Sequence, residues 1–255
     1  MTIGKVEMKP SSDDRVSTGV EGLDTLLGGG IPRGRIILVA GYPGSGKTIL
    51  CFQFLMKGLS EGQGSVYVSL EENKNDICRE MAHFGWDLEQ MEALNKFKFL
   101  DASPTEPVDR GSRVVEIGIG KPEFTMSGLV ERIKKSCREV NASRLAIDPI
   151  ASLILRYSGI IERRKATLEL MNGLASTGAT CLMTTELRSL KISRELMIEE
   201  YLAQGVVLLT TVSDGGTVTR CIQVEKMRET MIDMQPRPYK ITPYGIEVFQ
   251  KEKVF

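Results

Sequence analysis

The sequence predicts an α/β fold in which helices flank a mostly parallel, twisted sheet that antiparallel strands extend near the C-terminus. Apolar runs of strand length alternate with amphipathic, helix-length segments up to about residue 205. A glycine-rich stretch, AGYPGSGKT at 40–48, joins one such apolar run to a helical pattern. Beyond residue 205 the alternation gives way to a hairpin pattern. Because no linker or internal repeat divides the 255 residues, we expect a single domain over 1–255.

Composition restricts the function classes. Lys plus Arg and Asp plus Glu both number 33, so any site for a polyanion must be a local patch. The N-terminal stretch has no signal-peptide pattern, and we find no apolar run of about 18 residues, which predicts a cytoplasmic protein without membrane contact. The five cysteines lack a C-x-x-C pair, which fits a reducing compartment and argues against a zinc ribbon.

The predicted elements follow the βα alternation in order. The run at 36–40 is a strand, and the apolar spacing of 48–59 is helical. The β-branched run 65–70 is the next strand, after which Asn73 is the expected cap of a helix. Further strands are predicted at 96–100, 144–148 and 179–185, helices at 127–140 and 160–176, and an exposed loop at 101–124.

The C-terminal segment reads as antiparallel strands. Residues 206–212 and 217–227 flank the Asp-Gly turn of SDGG, which is typical of a hairpin. Residues 238–249, PYKITPYGIEVF, add further strands. The sheet is therefore expected to grow antiparallel at one edge.

The stretch at 41–48 satisfies G-x-x-x-x-G-K-[ST] in full, between an apolar strand and a helix. Glycines let the backbone curl so that successive N–H groups and the helix N-terminus face phosphate oxygens. Lys47 is expected to bridge β- and γ-oxygens, and the Thr48 hydroxyl to ligate Mg²⁺. We therefore predict binding of ATP and Mg²⁺ by Gly41, Tyr42, Pro43, Gly44, Ser45, Gly46, Lys47 and Thr48.

Two acidic positions complete the predicted chemistry. Asp148 ends a buried strand of the same sheet, where a carboxylate can support the magnesium ion. Glu71 and Glu72 end the strand that begins at residue 65, and one of them is the expected activator of the attacking water. Consecutive strand residues face opposite ways, so spacing leaves the choice between Glu71 and Glu72 open.

Four further segments carry a family resemblance over nearly the full length: 17–34 (STGVEGLDTLLGGGIPRG), 69–77 (SLEENKNDI), 83–89 (HFGWDLE) and 226–248 (KMRETMIDMQPRPYKITPYGIEV). With the phosphate loop, they resemble the KaiC-like and RadA-paralogue branch of the RecA-type P-loop ATPases. The resemblance implies a RecA-type core and ATP at subunit boundaries. It further implies a homo-oligomer, either a hexamer or a filament, and favours Glu71 as the water-activating carboxylate.

The resemblance also assigns a role to Lys226 and Arg228. As i and i+2 of one strand they face the same way, and in similar proteins this K-x-R pair reaches the γ-phosphate held by a neighbouring subunit. The residues Thr184, Thr185 and Glu186 follow a strand where RecA-type proteins carry a γ-phosphate sensor.

The partner is predicted only as a set of alternatives. Two basic segments in pore-loop positions, with Arg156 and Tyr157 in the first and Arg188, Lys191 and Arg194 in the second, predict single-stranded DNA binding and a role in recombination or repair. The alternative is a KaiC-like signalling ATPase or autokinase that acts on a protein partner, with Ser158 as a phosphorylatable residue. A third reading is a nucleotide-binding interaction protein that hydrolyses little ATP.

Overall fold

The computed structural model describes residues 14–103, 125–187, 197–214 and 216–254. The helices are α1 (Glu21–Leu26), α2 (Lys47–Ser60), α3 (Lys74–Ala82), α4 (Leu88–Ala93), α5 (Met126–Glu139), α6 (Ala151–Ile154), α7 (Ile160–Ala175) and α8 (Ile198–Leu202). The strands are β1 (Arg15–Val16), β2 (Ile31–Pro32), β3 (Ile36–Gly41), β4 (Gly64–Ser69), β5 (Phe97–Asp101), β6 (Ala142–Asp148), β7 (Thr180–Glu186), β8 (Gly205–Asp214), β9 (Thr217–Met227), β10 (Arg237–Thr242) and β11 (Gly245–Val248).

Within these residues, nine strands form one sheet in the order β11-β10-β9-β8-β3-β7-β6-β4-β5. The six strands from β8 to β5 in this order are mutually parallel. The strands β9, β10 and β11 continue the sheet antiparallel to their neighbours. This arrangement confirms the predicted α/β fold class with its antiparallel extension.

The central strand β3 explains why its sequence is an unbroken apolar run. All six of its residues are buried. Ile37 and Val39 pack into the core on one face of the sheet, while Ile36, Leu38 and Ala40 pack into the core on the other. Helices cover both faces, so neither side of the strand tolerates a polar alternation.

The lead-in segment that precedes β3 is fixed to the sheet by its own polar groups. The Asp24 carboxylate accepts the Thr18 N–H and the Thr18 hydroxyl, each at 2.7 Å. The Gln53 side chain of α2 donates to the Gly19 carbonyl at 3.0 Å and accepts the Ile246 N–H at 2.7 Å. The lead-in, α2 and β11 are therefore joined beside the phosphate loop.

No helix in the described part of the chain is both long and apolar enough to cross a membrane. The predicted loop at 101–124 lies mostly outside the described residues, which stop at residue 103 and resume at residue 125.

Candidate nucleotide-binding site

The stretch at 41–48 connects β3 to α2. Gly46 is the N-cap of α2, with φ of 89°, and no side chain caps this helix end. The first intrahelical bond runs from the Leu50 N–H to the Gly46 carbonyl at 2.9 Å. The amides of the first turn therefore have no carbonyl partner within the helix, and the positive end of α2 faces the loop.

Backbone geometry explains why this loop requires glycine. Gly44 and Gly46 adopt φ of 74° and 89°, a region that residues with a Cβ rarely enter. A Cβ at Gly41 would lie 2.4 Å from Ser45 Oγ and 2.9 Å from the Leu209 carbonyl oxygen. The loop is also held from the sheet, because the buried Tyr239 hydroxyl of β10 donates to the Ser45 carbonyl at 2.6 Å.

Lys47 folds back over this loop. Its ammonium donates to the carbonyls of Gly41 and Tyr42, each at 3.0 Å. Burial lowers the pKa of Lys47, and the negative charges of Asp148 and Glu186 oppose that shift. The ammonium therefore lies over the loop within the field of two carboxylates.

Asp148, at the end of β6, is buried and is surrounded by three hydroxyl donors. Oδ2 accepts the Thr48 hydroxyl at 2.6 Å and the Tyr67 hydroxyl at 2.9 Å. Oδ1 accepts the hydroxyl of Thr184 from β7. The structure thus brings the predicted residues Thr48, Asp148 and Thr184 into direct contact.

These groups suit a phosphate and a hard cation. Hydroxyl and carboxylate oxygens are the ligands that Mg²⁺ prefers, and Thr48 and Asp148 supply both kinds. The Ser45 hydroxyl is buried within the loop and has no hydrogen-bond partner, so one polar group is available there for a bound anion. Among the described residues, no group of three or more His, Cys, Asp and Glu could hold another metal.

The carboxylates at the strand ends separate Glu71 from Glu72. Both are exposed and follow β4 directly. Burial is the largest cause that raises the pKa of Glu71, followed by the charges of Glu186 and Asp148, while Lys47 lowers it. After burial, the charge that most raises the pKa of Glu72 is Glu80 on α3. Glu71 therefore lies in the field of the loop groups, whereas Glu72 leans toward α3.

Residues from the predicted γ-phosphate sensor diverge from one another. Thr184 contacts Asp148, as described above, while the buried Thr185 donates to Glu199 Oε1 of α8 at 3.2 Å. Glu186, which pairs with Gly41 across the β3–β7 ladder, is exposed. Only Thr184 and Glu186 are directed at the loop and its acidic neighbours.

Lys226 and Arg228 lie away from the phosphate loop of their own chain. The Lys226 ammonium donates to the carbonyls of Glu200, Tyr201 and Ala203 at 3.1, 3.2 and 2.6 Å. Burial and the charge of Arg228 lower the pKa of Lys226. Arg228 is exposed. The carbonyl cluster at the end of α8 was not predicted, because a five-residue helix shows too little periodicity to be read from the sequence.

The predicted DNA-binding residues are only partly described. Arg188, Lys191 and Arg194 lie in 188–196, outside the described residues. Arg156 follows α6 and is exposed. The Tyr157 ring is half-buried and packs against the core on that face of the sheet, which leaves less of the ring for stacking on a base than a fully exposed tyrosine would offer.

Sequence reasoning missed two tyrosines of this site, Tyr67 and Tyr239. Each sits in a strand, is almost wholly buried and donates its hydroxyl to a group of the site. A tyrosine within a buried strand implies a hydrogen-bond partner for its hydroxyl. That signal shows that a partner exists but not which one.

Comparison with known proteins decides the family. The family described as "ATPase: KaiC" matches residues 16–253. The chain belongs to the KaiC family of ATPases. This confirms the predicted resemblance to KaiC-like, RecA-type P-loop ATPases, and membership of such a family implies binding of ATP and magnesium in general.

Individual relatives agree with the family. The chain is 33% identical over 241 residues to a UPF0273 protein of Aeropyrum pernix, covering 94% of this chain and 96% of the relative. It is 33% identical over 237 residues to the circadian clock oscillator protein KaiC of Parasynechococcus marenigrum, covering 92% of this chain but 44% of that KaiC. A crystal structure of a KaiC-like protein from Pyrococcus horikoshii has a TM-score of 0.77 and 36% identity, with 92% and 98% of the two chains covered.

Proposed function

We propose that this KaiC-family chain is a magnesium-dependent ATPase whose subunits assemble into rings or filaments with ATP between neighbours. The observation that carries the hydrolytic part is the 2.6 Å bond between Thr48 and Asp148. It joins the start of α2 to the end of β6, beneath the loop that Lys47 covers. A hydroxyl that donates to a carboxylate keeps its lone pairs free for a cation.

The residues of the chain divide the work as follows. The loop amides and the N-terminus of α2 receive the phosphates, and Lys47 exchanges its two loop carbonyls for phosphate oxygens. Thr48 and Asp148 hold the magnesium ion, which neutralises charge that develops on the phosphoryl group. Glu71 accepts the proton of the attacking water, since its neighbours are the loop groups.

The register of the sheet supports a role for Lys226 and Arg228 in another subunit. Lys226 pairs with Val206, which in turn pairs with Leu38, three residues before Gly41. At roughly 3.3 Å per residue and 4.8 Å per strand, its backbone is about 10 Å along and about 10 Å across the sheet from the loop. A lysine or arginine at this end of the sheet cannot reach the nucleotide of its own chain.

The surface around this pair also fits a neighbouring subunit. Tyr201 and Met231, which flank Lys226 and Arg228 in the sequence and in the Lys226 contacts, are 60% and 97% exposed. Exposed apolar side chains beside cations are typical of an interface. Because three carbonyls already hold the Lys226 ammonium, the exposed Arg228 is the cation we assign to the neighbour's γ-phosphate.

Hydrolysis is tested by comparing ATP turnover of the wild type with that of Lys47→Ala and Glu71→Gln, with Glu72→Gln as the matched control. Lys47→Ala loses nucleotide binding and turnover. Glu71→Gln keeps binding but loses about 10²-fold or more in turnover, as expected of a general base. Equal rates in Glu71→Gln and wild type, or a larger loss in Glu72→Gln, would overturn the assignment.

The partner of the ATPase cycle stays a prediction. None of the relatives' descriptions given above names a nucleic acid, and no contact among the described residues favours DNA over a protein. The single-stranded DNA role in recombination or repair therefore has no support beyond the basic segments of the sequence, and the same holds for the signalling or autokinase alternative. Turnover with and without single-stranded DNA at low salt separates the first from the rest.

A further inference from the structure

Tyr67 is the unassigned group in closest contact with the magnesium carboxylate. It lies in β4 with 1% of its surface exposed, and its hydroxyl donates to Asp148 Oδ2 at 2.9 Å. Its ring packs between Phe52 and Phe99, with centroids at 4.3 and 5.4 Å. The ring is therefore fixed on both sides, and the hydroxyl position is set by the core rather than by solvent.

Acceptor geometry gives this hydroxyl a consequence for the metal. An ionised carboxylate offers about four acceptor positions. Thr48 and Tyr67 occupy the two on Oδ2, and Thr184 occupies one on Oδ1. These donors come from α2, β4 and β7, so the carboxylate cannot rotate without breaking bonds to three elements.

We propose that Tyr67 is a positioning residue for magnesium, which locks the Asp148 carboxylate so that one acceptor position on Oδ1 faces the cation or its bound water. This rests on the proposed function and adds a residue to its metal site. Without the Tyr67 hydroxyl, one position on Oδ2 is unfilled and the carboxylate gains freedom to turn. Its orientation then has to be paid at the moment the cation binds.

The test uses Tyr67→Phe, which removes the hydroxyl and keeps the ring between Phe52 and Phe99. Binding of a fluorescent, non-hydrolysable ATP analogue to the full chain is titrated with Mg²⁺ and repeated in EDTA. Removing a group that orients a metal ligand costs about 10–100-fold in metal affinity. We expect a rise of about tenfold or more in the Mg²⁺ concentration for half-saturation, with affinity in EDTA close to wild type.

Tyr239→Phe is the matched control, because it removes an equally enclosed hydroxyl that contacts the loop carbonyl of Ser45 and not Asp148. This variant is expected to weaken the analogue by the same factor in Mg²⁺ and in EDTA, with the Mg²⁺ midpoint unchanged. The two tyrosines thus separate a metal effect from a loop effect.

The melting temperature of the nucleotide-free protein distinguishes a merely structural role. Loss of one buried hydrogen bond to a charged group lowers it by roughly 5 °C, which leaves Tyr67→Phe folded at 25 °C. A lower melting temperature with the wild-type Mg²⁺ midpoint would overturn the proposal, as would a lower Mg²⁺ midpoint. If the wild type binds the analogue equally in Mg²⁺ and EDTA, the proposed function itself fails, and that outcome is separate from the first.

Discussion

Single residues at the ends of neighbouring strands set the pH response of this site. Glu71 must be ionised to accept a proton, so turnover falls as pH drops through its pKa. Burial raises that pKa most, the charges of Glu186 on β7 and Asp148 on β6 raise it further, and Lys47 on α2 lowers it. Removing the Glu186 charge must therefore lower the pKa of Glu71.

We expect Glu186→Gln to move the acid limb of the turnover profile to lower pH. Glu72→Gln is the control, because Glu72 is not among the charges that act on Glu71. The measurement is turnover at saturating ATP and Mg²⁺ across the acid range for the wild type and both variants. An acid limb that stays in place in Glu186→Gln, or that moves to higher pH, contradicts this account.

The motif at 41–48 and the strand-end position of Asp148 were enough to predict which residues gather at the loop. The choice between Glu71 and Glu72 could not be read from spacing, because residues 70–72 form a bend in which strand alternation no longer applies. Contacts made by Tyr67 and Tyr239 depend on which strands become neighbours. That information is not local to either residue.

Among the secondary-structure elements, β6 carries a buried cation that joins the lead-in segment to α2. Arg144 is fully buried and donates to the carbonyls of Ser17 and Phe54 at 2.6 and 2.9 Å. It also donates to the side chains of Gln63 and Glu61, each at 2.8 Å. The sequence predicted a strand at 144–148 but gave no partner for its first residue.

We expect Arg144→Met to lose about 3–5 kcal/mol of unfolding free energy, because two carbonyls and the Glu61 carboxylate lose their donor inside the protein. Arg144→Lys does not restore it, since one ammonium cannot replace a planar fork that reaches four acceptors. Urea unfolding of both variants measures the loss. In the control Glu61→Gln, the carboxylate is 35% exposed and the expected cost is about 1 kcal/mol or less. A comparable loss in Glu61→Gln and Arg144→Met would show that the ion pair, rather than the carbonyl contacts, carries the effect.

Length explains which elements escaped prediction. The helices α1, α4, α6 and α8 have four to six residues, too few to show the apolar repeat that revealed α2, α5 and α7. The hairpin of β8 and β9 was predicted because its turn chemistry is local. The position of β8 beside β3 is not local, and it is this position that places Lys226 at the far end of the sheet from the phosphate loop.

For the whole molecule, that placement means that a complete site needs two chains. One chain supplies the loop, Asp148 and Glu71, and Arg228 comes from the next. Such an interface is heterologous, because the surface with the loop meets a different surface of its neighbour. The chain covers 96% of the UPF0273 relative and 44% of the cyanobacterial KaiC, so its assembly is a proposal about this chain and is not transferred from either.

Mixing two inactive variants tests this arrangement directly. Lys47→Ala has a defective loop but an intact Arg228, and Arg228→Ala has the reverse. In oligomers that assemble from an equal mixture, about one interface in four pairs the intact loop of one variant with the intact arginine of the other. We therefore expect the mixture to recover about a quarter of wild-type turnover, while each variant alone stays near background. A control mixture of Lys47→Ala with Glu71→Gln recovers nothing, because both defects lie on the loop side of the interface. Background turnover in the first mixture, after subunit exchange has been shown by cross-linking of tagged chains, would mean that Arg228 does not act across the interface.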